Sequence, residues 1–242
     1  MDRLEELRRE VARERRARPA PAPPPPPAPA RPRVFRWRRL LVVPLGLVLL
    51  GLPVVTLLRG STALYLHAGW PTWAALAGAA AVAAALVAGY AALLSRKLTG
   101  RARLRFVATW IAAPLVVAHC VHGLLFLARV NAKTDDVRTY YRALHPALRL
   151  AVSTFVIVDD GQVVTDIHRT AADYDRMRLP VYESSLHFRQ ADGWVHAMDL
   201  RTIGRGRVRN WVTAASFRLL GFRTLRHVGT ADHLHVSLPL PP

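Results

Sequence analysis

Three apolar stretches, at residues 40–58, 72–94 and 106–127, constrain this chain more than any other feature. Each is close to the roughly 20 residues a helix needs to cross a bilayer, and none contains Lys, Arg, Asp or Glu. Lipid offers backbone groups no hydrogen-bonding partners, so the spacing predicts three transmembrane helices. This also accounts for a positive mean hydropathy beside a formal charge of +18, a combination unusual for one soluble globule. The basic excess lies mainly outside the C-terminal region: residues 134–242 hold 14 basic and 11 acidic residues, whereas residues 40–133 hold 8 basic residues and no acid. No nucleic-acid surface is therefore needed to explain the charge, and no nucleic-acid partner is expected.

Loop charges set the expected orientation. The segment before the first stretch is Arg-rich, and "SRKLTGRARLR" between the second and third carries Arg96, Lys97, Arg101, Arg103 and Arg105. The loop "RGSTALYLHAGWP" has only Arg59. The positive-inside rule then places the N-terminus in the cytoplasm of a multi-pass bacterial inner-membrane protein, with its C-terminal domain periplasmic or extracellular. Three regions follow: a basic, Pro/Ala-rich, disordered cytoplasmic tail at 1–38, a membrane domain at 39–130 and an extracytoplasmic domain at 134–242. The tail opens with a charged stretch at helical spacing and continues as "PAPAPPPPPAPARPR", an extended linker that could engage a cytoplasmic partner. The one cysteine, Cys120, allows no intrachain disulfide, so the outer domain must stand on its own core or on a metal. His119, Cys120 and His122 fall inside the third stretch; the reading preferred for both histidines is neutral rings hydrogen-bonded within the bundle.

From Thr134 the pattern is that of a small α+β domain, helices on an antiparallel sheet. "TDDVRTYYRALHPALRLAV" has a helix cap and an apolar stripe through Val137, Tyr141, Leu144 and Leu148. "TFVIVDDGQVVTDI" reads as a β-hairpin around Asp-Gly, "RTAADYDRMRL" as a short helix, "GWVHAMDLRT" as a strand, "RVRNWVTAASFRLLG" as a helix ended by Gly221, and "HLHVSLP" as a strand. His187, His196, Asp199, Asp232, His233 and His235 cluster near the strand ends. A catalytic zinc takes three N, O or S ligands and leaves a position open, and His187, Asp199 and His235 supply such a set. His196 is an alternative first ligand, but three residues from Asp199 on one strand it faces the opposite side. Asp232 precedes His235 by three residues and is a candidate general base.

Ser185-Leu186-His187, the strand "HAMDL" ending at Asp199, and Asp232-His233-Leu234-His235 together resemble the zinc D,D-peptidases. These are the D-alanyl-D-alanine carboxypeptidases and vancomycin-resistance dipeptidases, related to lysostaphin-like enzymes and the hedgehog signalling domain. The upstream "VTDIHRT" looks like the family's segment carrying a substrate-contacting arginine, here Arg169. The resemblance covers only residues 163–238. It implies Zn²⁺ held by His187, Asp199 and His235, Asp232 as base, Arg169 on the substrate carbonyl or oxyanion, and His233 assisting beside His235. The implied activity is hydrolysis of peptidoglycan stem peptides. The alternative is a weakly active or inactive metal domain that binds peptidoglycan or wall-synthesis proteins. Eleven residues separate His187 from Asp199, more than in the family, so a loop must form around "RQADG", and aspartate stands at 232 where glutamate is commoner.

Overall fold

A computed structural model describes residues 2–17, 37–178, 180–182, 184–229 and 232–241. The Pro/Ala-rich linker expected at 19–33 lies outside the described residues. Two compact units are present, residues 1–42 and residues 43–242. The first contains α1 (Asp2–Ala17), a charged helix with an exposed Glu5–Arg9 pair one turn apart.

Three helices among the described residues are long and apolar enough to cross a membrane: Val48–Ala68, Thr72–Thr99 and Leu104–Leu125. The first is the end of α2 (Trp37–Ala68), which runs past the apolar stretch through "RGSTALYLHA". That extension stays helical because its polar groups are satisfied locally and its small residues pack closely. Ser61 donates its hydroxyl to the Leu58 carbonyl, the Thr62 hydroxyl is shared between the carbonyls of Arg59 and Leu220, and Gly60 lies against Ala79. The second span, α3 (Thr72–Thr99), ends at Gly100 in the left-handed conformation. The third is α4 (Leu104–Val107) and α5 (Ala113–Leu125) joined by a π turn at Ala108–Ala112. The π turn precedes Pro114, which has no N–H to give, and the Ala113 N–H reaches back to Ala108.

The rest is α+β. Thr134 caps α6 (Asp135–Tyr140), and His145 caps α7 (Pro146–Val158) by accepting the Ala147 N–H on Nδ1. The hairpin expected from "TFVIVDDGQVVTDI" is not formed: residues 154–158 complete α7, and only β1 (Val164–Asp166) follows as strand. Packing overrides β-branched propensity here. From Pro146 to Ser153 every residue of α7 is buried, and α7 lies antiparallel on α5 with Leu150 and Ser153 over Gly123. A capping box, Thr170 with Asp173, starts α8 (Ala171–Met177). Next come β2 (Ala197–Arg201), α9 (Arg207–Leu219), β3 (Arg223–His227) and β4 (His233–Ser237).

The sheet is antiparallel in the order β1-β2-β4-β3. Side chains alternate, so Met198, Leu200, Leu234 and Val236 enter the core while Asp199, His233 and His235 share the other face. One apolar core runs from the spans into the sheet, joining Leu57, Leu58 and Leu76 to Leu148, Met198, Phe217 and Val236. Each such side chain, fully buried, is worth about 1.5–3 kcal/mol. This shared core fixes β2 and β4 to the apolar helices.

Candidate metal centre

Antiparallel pairing sets Asp199 on β2 directly opposite His235 on β4. The Asp199 Oδ1 to His235 Nδ1 distance is 2.9 Å. His187 arrives from a loop that its own neighbours shape: its backbone N–H bonds the Ser185 hydroxyl, and its carbonyl accepts the Arg169 N–H. The His187 ring is fixed by a 2.7 Å contact from Nδ1 to the Ile167 carbonyl. A carbonyl only accepts, so Nδ1 carries the proton and Nε2 presents a lone pair. That Nε2 lies 3.3 Å from His235 Nδ1 and 3.4 Å from Asp199 Oδ1. Tetrahedral ligands about 2.1 Å from a common ion stand about 3.4 Å apart, so the trio has the separations of a metal-binding group. These residues could hold a metal ion.

The surroundings favour an ionised Asp199. Burial alone would raise its pKa, but the imidazoles of His187, His235 and His233 gathered around the carboxylate hold it below the ordinary carboxylate range. Arg169 spans Asp166 and Asp199, at 2.6 Å and 3.2 Å. It also lines a cleft of about 560 Å³ with Lys133, Tyr140, Asp166, His168 and Arg176. His233 Nε2 lies 3.6 Å from Asp199 Oδ2. Its ring stacks on His227 of β3 with centroids 4.7 Å apart.

The structure thus gathers His187, Asp199 and His235, with Arg169 and His233 beside them. Asp232 is turned elsewhere. Its Oδ1 accepts from the Thr202 hydroxyl at 2.5 Å and from Arg226 Nε at 3.2 Å, and its Oδ2 accepts from the other Arg226 nitrogen at 2.8 Å. The Arg226 hydrogen bonds and the Thr202 hydroxyl hold its pKa down to about 2. Residues three apart on extended chain point to opposite faces, which is why Asp232 and His235 diverge. His227, Asp166 and the Ile167 carbonyl were not singled out from sequence. His227 sits in β3, whose charged "RTLRH" carries no strand alternation.

His196 belongs to a second group, with His145 and Asp192, whose ligand atoms also lie within 4.8 Å of one another. Its chemistry differs. His145 Nδ1 is used by the Ala147 N–H, so its Nε2 carries the proton and donates to the Thr72 hydroxyl at 3.2 Å, leaving no lone pair for an ion. Asp192, in the loop around "RQADG", accepts from Tyr65 of α2 at 3.0 Å and contacts His196 Nε2 at 2.9 Å. This group is a polar link between that loop and the apolar helices. Burial, then the nearby charges of His196 and Arg149, push the His145 pKa down to about 3 against the pull of Asp192. The unfolded chain therefore binds the extra proton more readily, so the stability from neutral His145 is complete above about pH 6.5 and is lost as pH falls toward 3. The thermal midpoint of the full chain in detergent should fall between about pH 7 and about pH 4. His145→Asn, which keeps a capping acceptor, should flatten that dependence. A slope unchanged by the substitution would contradict the assignment.

No protein-family model, no curated protein and no solved structure matches this chain.

Proposed function

We propose that the C-terminal domain is a zinc-dependent peptidase acting on peptidoglycan stem peptides outside the cytoplasm. The observation that carries this reading is the convergence of His187 Nε2, Asp199 Oδ1 and His235 Nδ1, with Arg169 linking Asp199 to a neighbouring cleft whose lining holds both basic and acidic residues. The chemistry a zinc ion supplies when bound there is Lewis acidity, which polarises a carbonyl and acidifies water. The chain supplies the rest. Arg169, steadied by Asp166, is placed to hold a carbonyl oxygen as negative charge develops on it, a charge-assisted contact in a partly buried site. In that cleft Lys133 offers a cation to a peptide carboxylate, while Arg176 is paired with Asp173. The Ile167 carbonyl keeps His187 in the ligating tautomer. His233, against the ligand group, is better placed to move the water proton than Asp232, which Arg226 and Thr202 hold. The loop charges of the sequence, Arg-rich at the tail and between the second and third spans, support placing this domain on the outer side.

The test is hydrolysis of a synthetic stem peptide by the full chain in detergent, with zinc content measured in parallel. His233→Ala should lower kcat by about 10²–10⁴-fold with zinc retained, the range for a group that transfers a proton. Asp232→Asn should cost far less. If Asp232→Asn has the larger effect, the proton-transfer role belongs to Asp232. Wild-type protein with stoichiometric zinc but no hydrolysis would favour a peptidoglycan-binding domain instead.

A further inference from the structure

α9 is amphipathic in the wrong sense for a helix on a soluble domain. Its inward residues include Asn210 and Thr213 beside Phe217, while Val208, Trp211, Val212 and Leu219 are exposed and Ala215 is half-buried. These five occupy one face at helical spacing. Asn210 is satisfied inside by the Thr202 and Arg205 carbonyls, and Thr213 by the Arg209 carbonyl, so the inverted polarity is built into the packing. Val208 and Trp211 are 75% and 69% exposed, and a row of this kind on a protein surface marks a contact with an apolar partner.

Its neighbours indicate the partner. Phe217 of α9 packs on Phe155 of α7, with ring centroids 5.4 Å apart. α7 runs back alongside the third apolar helix: Thr154 contacts His119 Nε2 at 3.1 Å, six residues before that helix ends at Leu125. At 1.5 Å per residue this is about 9 Å inside its end. The Leu220 carbonyl, just past α9, accepts the Thr62 hydroxyl at 3.2 Å, again six residues inside the end of α2 at Ala68. Gly221, at φ 101°, lets the chain come this close, because a Cβ there would meet Thr62 Oγ1 at 2.3 Å. The C-terminal domain therefore stands beside the ends of the apolar helices and not only beyond them. Ile157 and Val158, at the tip of α7, are exposed as well.

We propose that the outer face of α9 and the tip of α7 are immersed in the bilayer interface, so that the domain is held by a lipid surface in addition to its three spans. This rests on reading the three apolar helices as spans and is independent of the metal centre. α9 contains no acidic residue, and Arg207, Arg209 and Arg218 border its apolar face. Arginine stems can lie on apolar surface while their heads meet lipid phosphates. Trp211 suits the same boundary, where an indole buries its ring and keeps its N–H wet. An amphipathic helix of this kind buries its apolar face roughly 5–10 Å into the headgroup and acyl boundary.

The experiment uses the full chain in nanodiscs of phosphatidylcholine and phosphatidylglycerol. Single cysteines replace Val208, Trp211 and Val158 in a Cys120→Ala background, with Asp136, exposed on α6, as reference. Each carries an environment-sensitive fluorophore and is compared under shallow nitroxide-labelled lipid and aqueous iodide. The expected result is lipid quenching at least about threefold stronger, and iodide quenching at least about threefold weaker, at 208, 211 and 158 than at 136. Three independent exposed positions, each variant checked for wild-type elution, keep the result from resting on one altered fold. Iodide quenching on α9 equal to that at 136 would overturn the proposal. Protection from both quenchers would overturn it too, since that pattern belongs to a protein contact such as a second copy of this chain.

Discussion

Replacing Asp199 by Ala should remove the bound metal and all hydrolysis together, leaving no zinc above background where the wild type holds about one ion per chain. Of the three side chains proposed to hold the metal, Asp199 is the one that carries charge: it sits between the two imidazoles and also bonds Arg169. Without it, His187 Nε2 and His235 Nδ1 remain 3.3 Å apart as two neutral donors facing a cation with no balancing carboxylate. Arg169 keeps Asp166 as partner, so its charge is not stranded and the fold should persist. Paired determination of metal content and of thermal unfolding tests this. Loss of zinc with the unfolding transition retained is the expected result, whereas an Asp199→Ala protein that binds zinc as the wild type does would remove Asp199 from the site.

Gly221→Ala should cost stability by about 3 kcal/mol or more, from two sources that add at one residue. Gly221 has φ of 101°, where residues with a side chain are strained, and an added Cβ would lie 2.3 Å from Thr62 Oγ1 and 2.8 Å from an Arg59 nitrogen. Relief requires the α9–β3 turn to move off α2, breaking the bond from the Thr62 hydroxyl to the Leu220 carbonyl. β3 pairs along its length with β4, so the displacement reaches His235. The variant should melt several degrees lower in detergent and bind zinc more weakly. Gly193→Ala serves as control, since that glycine also has positive φ but a Cβ there meets nothing within 4 Å. Its cost should be the smaller of the two.

The three long apolar helices were legible because a bilayer crossing imposes a length and a composition that few other environments demand. His187, Asp199 and His235 could be singled out because ligation needs particular atoms, and the one-residue spacing of His233 and His235 forces a shared strand face. Other features depend on contacts distant in sequence. Residues 154–158 carry strand-like Thr, Val and Ile, yet α5 and the core hold them as helix. β3 has no alternation to read, so His227 and its stack on His233 stayed hidden. The direction of Asp232 is set by Arg226 and Thr202, neither adjacent to it in sequence. The loop around "RQADG" was expected because the resemblance implies a shorter spacing between His187 and Asp199, but its bond to Tyr65 joins residues 127 positions apart.

The most direct test of the central claim is X-ray absorption at the zinc edge on the full chain, purified without added metal. The expected result is about one zinc per chain in a shell of nitrogen and oxygen ligands at about 2.0–2.2 Å, with two imidazoles and no sulfur. Protein that carries no zinc and takes up none when it is supplied, or zinc in a shell containing sulfur, would contradict it.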